Sequence, residues 1–310
     1  MRAALLCLGF DPSTPCYRQT RRFLLGLEPL RSRYNTHASH FEIWLLLGEV
    51  NLHYLTIAVG DQPPIRTITL NRPERRNAMT AEMQTELIKA MEVAAKSDAR
   101  VLVLTGAGDA FCSGLDLAEL QGVQDKTAAE FRADAERLAR LFLTLYELPL
   151  PTIAAVNGPA IAGGTGLATI CDFTLATPAS KFGYTEVRIG FVPALVSAFL
   201  ALQVGDKRSR DLLLTGRLFS AEEAHRIGLV NQVVQAEELS DRVAALARDL
   251  AANSPHSLAA TKRLLAAQNR PWLDAAIVSA MEANALARET PDFREGLQAF
   301  LQKRKPVWTK

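Results

Sequence analysis

The sequence predicts an α/β protein in which a core of strands and helices is followed by a helical region. Between residues 54 and 254, short apolar or alternating segments take turns with amphipathic helices, which is typical of sheets covered by helices. After about residue 255 the strand signals stop, and residues 255–310 read as helices alone. Residues 1–53 show neither pattern. We therefore predict three parts with these boundaries.

The first predicted elements are a hairpin and a helix. Residues 55–59 and 65–70 alternate in polarity as strands do, and the segment 61–64, which contains two prolines, predicts the turn between them. Thr80 is a suitable N-cap for a helix that extends to Lys96.

The next elements continue the alternation. Residues 101–104 form a continuous apolar run, as in a strand that is buried on both faces. A helix is predicted over residues 128–146, and further strands over 152–156, 171–176 and 229–234.

The C-terminal region predicts three helices, over residues 257–268, 272–288 and 291–303. Thr290 and Pro291 combine an N-cap with a proline at the first helical position. The apolar side of the last helix needs a partner surface, either on its own core or on a neighbouring subunit.

Composition excludes several classes of protein. The net charge of the 310 residues is +2, too small to indicate nucleic-acid binding, and the hydrophobic fraction of 48% is ordinary for a globular protein. The four cysteines have no paired spacing that would hold zinc, and so few in a long chain favour a reducing compartment. We expect a cytoplasmic protein without a metal, a nucleic-acid partner or a membrane anchor.

Residues 1–53 differ in character from the rest of the chain. They mix arginines with short apolar runs and contain few acids, which are features of an organellar transit peptide. The alternative, which we favour, is a poorly ordered extension or sequence upstream of the native start. A transit peptide would place the mature protein in an organellar matrix.

Three segments carry the candidate chemistry. One strand leads into the turn Ser113-Gly114-Leu115-Asp116, a second leads into the glycine-rich turn 157–166, and Glu186 follows. Two turns that aim backbone N–H groups at one point, together with one carboxylate, suit the stabilisation of an enolate formed from a carbonyl substrate.

The glycine-rich turn has two alternative interpretations. Gly163 and Gly164 also suit a tight strand-to-helix connection that binds no ligand. With Glu186 about twenty residues further on, the turn also partly fits a dinucleotide-binding fingerprint, although Thr169 stands where that pattern has a small residue.

The other two segments have alternatives as well. The Ser113 hydroxyl suggests a nucleophile, but no histidine nearby in sequence suggests a base, so its backbone N–H is the better candidate. Asp116 suits the N-cap of a short helix through Leu120. Glu186 could form a surface salt bridge with Arg188.

Four segments in register between about residues 54 and 308 resemble the enoyl-CoA hydratase/isomerase (crotonase) family. They are residues 71–79 (NRPERRNAM), 110–117 (AFCSGLDL), 155–160 (AVNGPA) and 300–306 (FLQKRKP). The resemblance implies a crotonase-like spiral of ββα units, with C-terminal helices that help to build a homotrimer or a dimer of trimers.

The resemblance also implies a site. The substrate would be an acyl-CoA thioester whose carbonyl oxygen lies between the N–H groups of Ser113 and Gly163, with Glu186 as the acid or base and no cofactor besides the coenzyme A of the substrate. Lys303 and the two basic residues after it are three cations close together, which suits the CoA phosphates; the alternative is a solvated basic end of a helix. Contacts with the substrate or CoA are expected at Arg75, Ala78, Gly114, Leu115, Asp116, Gly164 and Lys303.

One departure from the family pattern affects the reaction. Hydratases of the best-known type carry two glutamates, and the first of them falls on Gly166 here, while the second falls on Glu186. One carboxylate suits a double-bond isomerase, whereas residues 185–194 look most like bacterial methylglutaconyl-CoA hydratase-type sequences. We expect a hydratase, with an isomerase as the alternative and a non-catalytic CoA-thioester binder as a third, which the presence of Glu186 disfavours.

Overall fold

Two sheets form the frame of the fold in the computed structural model, which describes residues 54–119 and 127–308. Within these residues one sheet has six strands in the order β1-β2-β3-β4-β6-β9 and the other has three in the order β5-β7-β8. The predicted N-terminal extension and the end of the predicted helix at Leu120 lie outside the described residues.

The strands are short and distributed along the chain. They are β1 (Ile57–Gln62), β2 (Ile65–Leu70), β3 (Val101–Gly106), β4 (Thr152–Val156), β5 (Ala160–Ile161), β6 (Phe173–Ala176), β7 (Lys181–Gly183), β8 (Leu218–Ser220) and β9 (Gln232–Val233).

Helices connect and follow these strands. They are α1 (Ala81–Ala94), α2 (Ala128–Tyr146), α3 (Gly163–Ile170), α4 (Ala194–Thr215), α5 (Ala221–Arg226), α6 (Leu239–Ala252), α7 (Pro255–Ala287) and α8 (Pro291–Leu301). A short 3-10 turn at Glu186–Ile189 follows β7. No helix in the described parts of the chain is long and apolar enough to cross a membrane.

The predicted hairpin is confirmed, with its first strand shifted along the chain. β1 pairs antiparallel with β2, and the turn between them is reduced to the two prolines at 63 and 64. The strand begins at Ile57 because the N–H groups of Leu55 and Thr56 donate to the carboxylate of Glu86 on α1. The remaining pairs of the large sheet are parallel.

The local signals at the first helices are also confirmed. The Thr80 hydroxyl accepts a hydrogen bond from the Met83 N–H at 3.1 Å and caps α1. Thr127 and Glu130 form a reciprocal capping box at the start of α2. β4 is buried along its whole length and β3 nearly so, as their apolar sequences predict.

The C-terminal region differs from the prediction in one respect. The two helices predicted over residues 257–268 and 272–288 form one helix, α7, which continues through Pro271 and ends at Ala287. Contacts on both sides of the proline hold it in place: the Asn269 amide donates to the Tyr146 hydroxyl at 2.9 Å, and Leu273 is fully buried. Tertiary packing therefore overrides a residue that usually ends a helix.

The last helix fixes the position of the 3-10 turn that carries Glu186. α8 begins at the predicted Thr290 cap and packs against that turn. A Cβ atom at Gly296 would lie 2.3 Å from the carbonyl carbon and oxygen of Ile189. The backbones of α8 and the turn therefore approach as closely as a glycine allows.

Candidate active site

A cavity of about 270 Å³ brings together the three segments that the sequence singles out. Leu115 comes from the loop after β3, Gly163 from the start of α3, and Glu186 from the 3-10 turn after β7. Because these segments follow strands of both sheets, they converge only when the two sheets are assembled. The rest of the wall is mainly apolar and includes Leu138, Phe142, Phe191 and Val196.

Glu186 is a buried carboxylate, and its side-chain oxygen Oε2 has no hydrogen-bond partner among the described residues. Burial raises the pKa of the Glu186 carboxyl to about 7, and a hydrogen bond with its own backbone N–H opposes that shift. It forms no ion pair with Arg188 or any other described residue, so the surface salt-bridge interpretation is wrong. A carboxyl group with this pKa is both acid and base near neutral pH.

The glycine-rich turn presents a free N–H at the start of a helix. α3 begins at Gly163, after Ala162 with a φ of 53°. The Gly163 N–H has no acceptor among the described residues. It belongs to the first helical turn, where the N–H groups are unpaired and the helix dipole favours negative charge.

The first turn offers a different donor from the predicted one. The Ser113 N–H donates to the Arg76 carbonyl oxygen at 3.0 Å, so it is not available to a substrate oxygen. The prediction that Ser113 supplies the donor conflicts with this hydrogen bond.

Leu115 supplies the free donor instead. Met79 bridges the two residues beside it: the Met79 N–H donates to the Gly114 carbonyl, and the Asp116 N–H donates to the Met79 carbonyl. Leu115 lies opposite Met79 in this parallel bridge, but the two hydrogen bonds go to its neighbours, and its own N–H has no acceptor among the described residues. The sequence could not reveal this because the pairing with Met79 joins positions 36 residues apart (115 − 79).

Glycines allow the two turns to approach each other. A Cβ at Gly164 would lie 2.2 Å from the Cys112 carbonyl oxygen, and one at Gly114 would lie 3.0 Å from the Ala162 Cβ. Close packing at these two glycines therefore brings the loop that carries Leu115 against the turn that carries Gly163.

Hydrocarbon fills the space beside Gly166. A Cβ at this residue would lie 2.6 Å from Cγ1 of Val196 and 3.4 Å from Cζ of Phe142. All of α3 is buried, so a longer side chain at position 166 would meet these two side chains first. The side of the site where the family pattern has a second glutamate is apolar in this protein.

Several of the predicted CoA contacts lie outside the cavity. Asp116 accepts a hydrogen bond from Arg72 at 2.8 Å, and Arg72 also donates to the Ala78 carbonyl, so this group braces the loop. Lys303 is exposed just beyond the end of α8. Arg75 is also exposed, at the end of a 3-10 turn.

The sequence analysis did not identify Asn284, which lines the same cavity from α7. It belongs to a stripe of buried residues at helical spacing, which are Leu273, Ile277, Ala280, Asn284 and Ala287. An asparagine in an otherwise apolar stripe is a signal that the sequence does contain.

Comparisons with known proteins agree with the geometry. The family model described as enoyl-CoA hydratase/isomerase matches residues 61–310. A Thermus thermophilus protein, named provisionally an enoyl-CoA hydratase, is 46% identical over 78% of this chain and 96% of its own length. The 1,2-epoxyphenylacetyl-CoA isomerase of Escherichia coli is 36% identical over 79% of this chain and 95% of its own length.

Among solved structures, an enoyl-CoA hydratase/isomerase from Xanthobacter autotrophicus Py2 superimposes with a TM-score of 0.75 at 32% identity. The match covers 81% of this chain and 98% of that one. The predicted α/β crotonase-like fold is therefore confirmed.

The Glu186→Gln variant should be more stable than the wild type above pH 7. Burial raises the pKa of Glu186 from 4.5 to about 7, so the stability linked to this proton is full below pH 4.5 and is lost as the pH rises through 7. Glutamine does not ionise. At about pH 8.5 the variant should gain up to ~3 kcal/mol in the free energy of unfolding.

Urea unfolding of both proteins at about pH 4.5 and about pH 8.5 measures this effect. The other titrating groups are shared by the two proteins and cancel. A stability difference that does not grow with pH would contradict the conclusion that burial raises the pKa of the Glu186 carboxyl.

Proposed function

This chain belongs to the enoyl-CoA hydratase/isomerase family, and from that membership we propose that its cavity binds an enoyl-CoA thioester and moves a proton at the α-carbon through Glu186. The observation that carries this proposal is the buried Glu186 carboxyl, with an unpartnered oxygen and a pKa of about 7, in the same cavity as two free backbone donors. The chain is an enzyme of the hydratase/isomerase type.

The backbone donors stabilise the negative charge that forms during the reaction. When a proton is removed from or added to the α-carbon of a thioester, the carbonyl oxygen carries enolate charge at the intermediate stage. We assign the Leu115 and Gly163 N–H groups to that oxygen, in place of Ser113 and Gly163. Donors that are fixed before the reaction and surrounded by apolar side chains stabilise such charge more strongly than water does.

Hydration is the first reaction we propose, and a single carboxylate can complete it. Ionised Glu186 accepts a proton from a water molecule, the water oxygen bonds to the β-carbon, and the electron pair of the double bond moves to the thioester oxygen as an enolate. The protonated Glu186 then returns the proton to the α-carbon, which gives a 3-hydroxyacyl thioester. Both proton transfers use one face of the substrate, so a second carboxylate is not required.

Double-bond migration is the second candidate, and the apolar surroundings of Gly166 favour it. Glu186 would take a proton from the α-carbon of a 3-enoyl thioester and return it to the γ-carbon, giving the 2-enoyl isomer without water. Val196 and Phe142 occupy the side where a second carboxylate would hold a water molecule. An apolar wall there suits a reaction from which water is excluded.

The C-terminal region contains residues that support CoA binding and the association of subunits. Exposed Lys303 remains a candidate for the CoA phosphates, whereas Arg304 already pairs with Glu295. Exposed apolar side chains on α7 and α8, such as Val278 and Phe300, support association of copies of the chain as a trimer or a dimer of trimers. No cofactor is proposed, and fatty acid or branched-chain amino acid degradation is the expected setting.

Replacing the carboxylate tests the proposed function. Glu186→Gln keeps the size of the side chain but cannot transfer a proton. For an enoyl-CoA thioester that the wild type converts, turnover should therefore fall by about 10²-fold or more while binding persists. The assay follows both water addition and double-bond migration over a panel of thioesters, and binding is measured separately by calorimetry. Full turnover in the variant would remove the basis of this mechanism.

Removing the backbone donors tests the reassignment from Ser113 to Leu115. Proline at Gly163 stands at the first helical position, where it is tolerated, and proline at Leu115 breaks no hydrogen bond among the described residues. Each variant should lose about 10²- to 10³-fold in turnover. Unchanged turnover in a folded Leu115→Pro variant would contradict the assignment to Leu115. Ser113→Ala keeps every backbone donor, removes only the hydroxyl, and is the control that should retain turnover.

The apolar wall predicts how the balance between the two reactions can be changed. Gly166→Glu alone should fold poorly because its Cβ would lie 2.6 Å from Val196. Gly166→Glu combined with Val196→Ala makes room for the carboxylate and should raise water addition relative to migration by about 10-fold or more. Val196→Ala alone is the control, and an equal shift in that variant would show that space, not the carboxylate, sets the ratio.

A further inference from the structure

Asn284 is a polar residue in the wall of an otherwise mainly apolar cavity. It lines the cavity together with Leu138, Phe142 and Phe191, and only 2% of its surface is exposed. Buried amide groups are nearly always hydrogen-bonded at both ends because an unpaired one costs free energy. The partners of Asn284 therefore indicate which end of the amide is left for a ligand.

Arg288, one helical turn further along α7, occupies the oxygen end. Its guanidinium donates through Nη2 to the Asn284 Oδ1 at 3.3 Å and through Nη1 to Asp134 at 3.3 Å. The guanidinium is itself buried and lies over the rings of Phe131 and Phe191. These contacts fix the orientation of the Asn284 amide, since the opposite orientation would place its NH₂ group against a cation.

The nitrogen end of the amide has no partner. Across residues 54–119 and 127–308, no acceptor receives a hydrogen bond from Asn284 Nδ2. The buried guanidinium that binds the amide oxygen also makes the NH₂ group a stronger donor, because linked hydrogen bonds polarise one another. The cavity wall thus offers two hydrogen-bond donors that alkyl carbon cannot satisfy.

The cation that binds this amide belongs to a group of ion pairs. Arg137 bonds Asp134 at 2.5 Å, so Arg137 and Arg288 share this one carboxylate. Arg288 Nε is also buried without a partner among the described residues. Arg288 does not line the large cavity, however: it lines a separate cavity of about 40 Å³ that Leu115 and Leu138 also line. Asn284 is therefore the donor of this cluster that lines the larger cavity.

We propose that the acyl chain of the substrate carries an acceptor oxygen, as a carbonyl or a carboxylate, and that Asn284 Nδ2 binds it. This inference rests on the proposed function, since it assigns the acyl chain of the same thioester. An unbranched alkyl chain would leave the donors of Asn284 unpaired when it displaces water from the cavity. A site built to bond an oxygen discriminates strongly against an analogue that lacks it.

The test compares three thioesters of equal chain length with the purified full-length protein. One has an alkyl end, one a carbonyl and one a carboxylate on a carbon beyond the reacting double bond. Wild-type kcat/KM should be at least about 10-fold higher for one of the oxygen-bearing thioesters than for the alkyl one. The oxygen-bearing thioester that is preferred identifies whether the substrate carries a carbonyl or a carboxylate.

Two variants connect that preference to Asn284. Asn284→Asp keeps the oxygen that accepts from Arg288 but replaces the NH₂ donor with an acceptor, so the preference should fall by about 10-fold or more, and furthest for the carboxylate arm. Asn284→Leu removes both the NH₂ donor and the oxygen acceptor of the amide and should abolish the preference. Asn269→Asp, the same substitution on α7 at a residue that does not line the cavity, is the matched control and should keep the wild-type preference.

The results distinguish a failure of the proposed function from a failure of the inference about Asn284. If no thioester in a broad panel is turned over, the proposed function fails. If thioesters are turned over and the wild type prefers the alkyl chain or has no preference, the inference about Asn284 is overturned. A uniform loss on all three thioesters in both Asn284 variants would also overturn it, because it would indicate a structural role.

Discussion

The burial of one carboxyl group without a hydrogen-bond partner for Oε2 is the constraint on which the site depends. Such a group costs roughly 1–3 kcal/mol even when neutral, and more when ionised, so the surrounding fold must hold it in place. The Glu186 turn is held between the core and α8, with Gly296 packed directly on Ile189. Part of the free energy that keeps the carboxyl buried therefore comes from the packing of a helix far along the chain.

The two backbone donors depend on equally close contacts. Gly164 lies against the Cys112 carbonyl, and Met79 bridges the loop on both sides of Leu115, so the two turns are fixed relative to each other before a ligand arrives. Donors held in this way need little reorganisation when charge develops on a bound oxygen. Glycine is required at positions 114 and 164 because other atoms approach the backbone closely there, and the free N–H groups belong to the neighbouring residues Leu115 and Gly163.

The cavity divides into regions of different polarity. Glu186 lines the cavity together with Leu115 and Gly163, whose N–H groups are free. Val196 and Phe142 close the side beside Gly166, and Asn284 adds a polar group that buried Arg288 supports. The apolar side bears on whether water can take part, and the polar end bears on which acyl chain is accepted. In the proposed function these two features belong to different helices, since Val196 lies on α4 and Asn284 on α7.

The sequence by itself determined the elements and the candidate residues. Periodicity and capping signals placed β4, α1, α2 and the start of α8 within a few residues, because these signals are local. Turn composition identified the two donor-bearing loops and Glu186. The departure at Gly166 was also visible in the chain alone.

Tertiary structure decided what local signals cannot contain. The pairing of Met79 with the loop at 114–116 makes Leu115 the free donor and ties up Ser113, and contacts with α2 and α4 carry α7 through Pro271. Val196 fills the space beside Gly166, and Arg288 orients Asn284. Each of these depends on residues far apart in sequence, because the direction of an N–H group and the contents of a cavity are set by neighbours that only the assembled fold brings together.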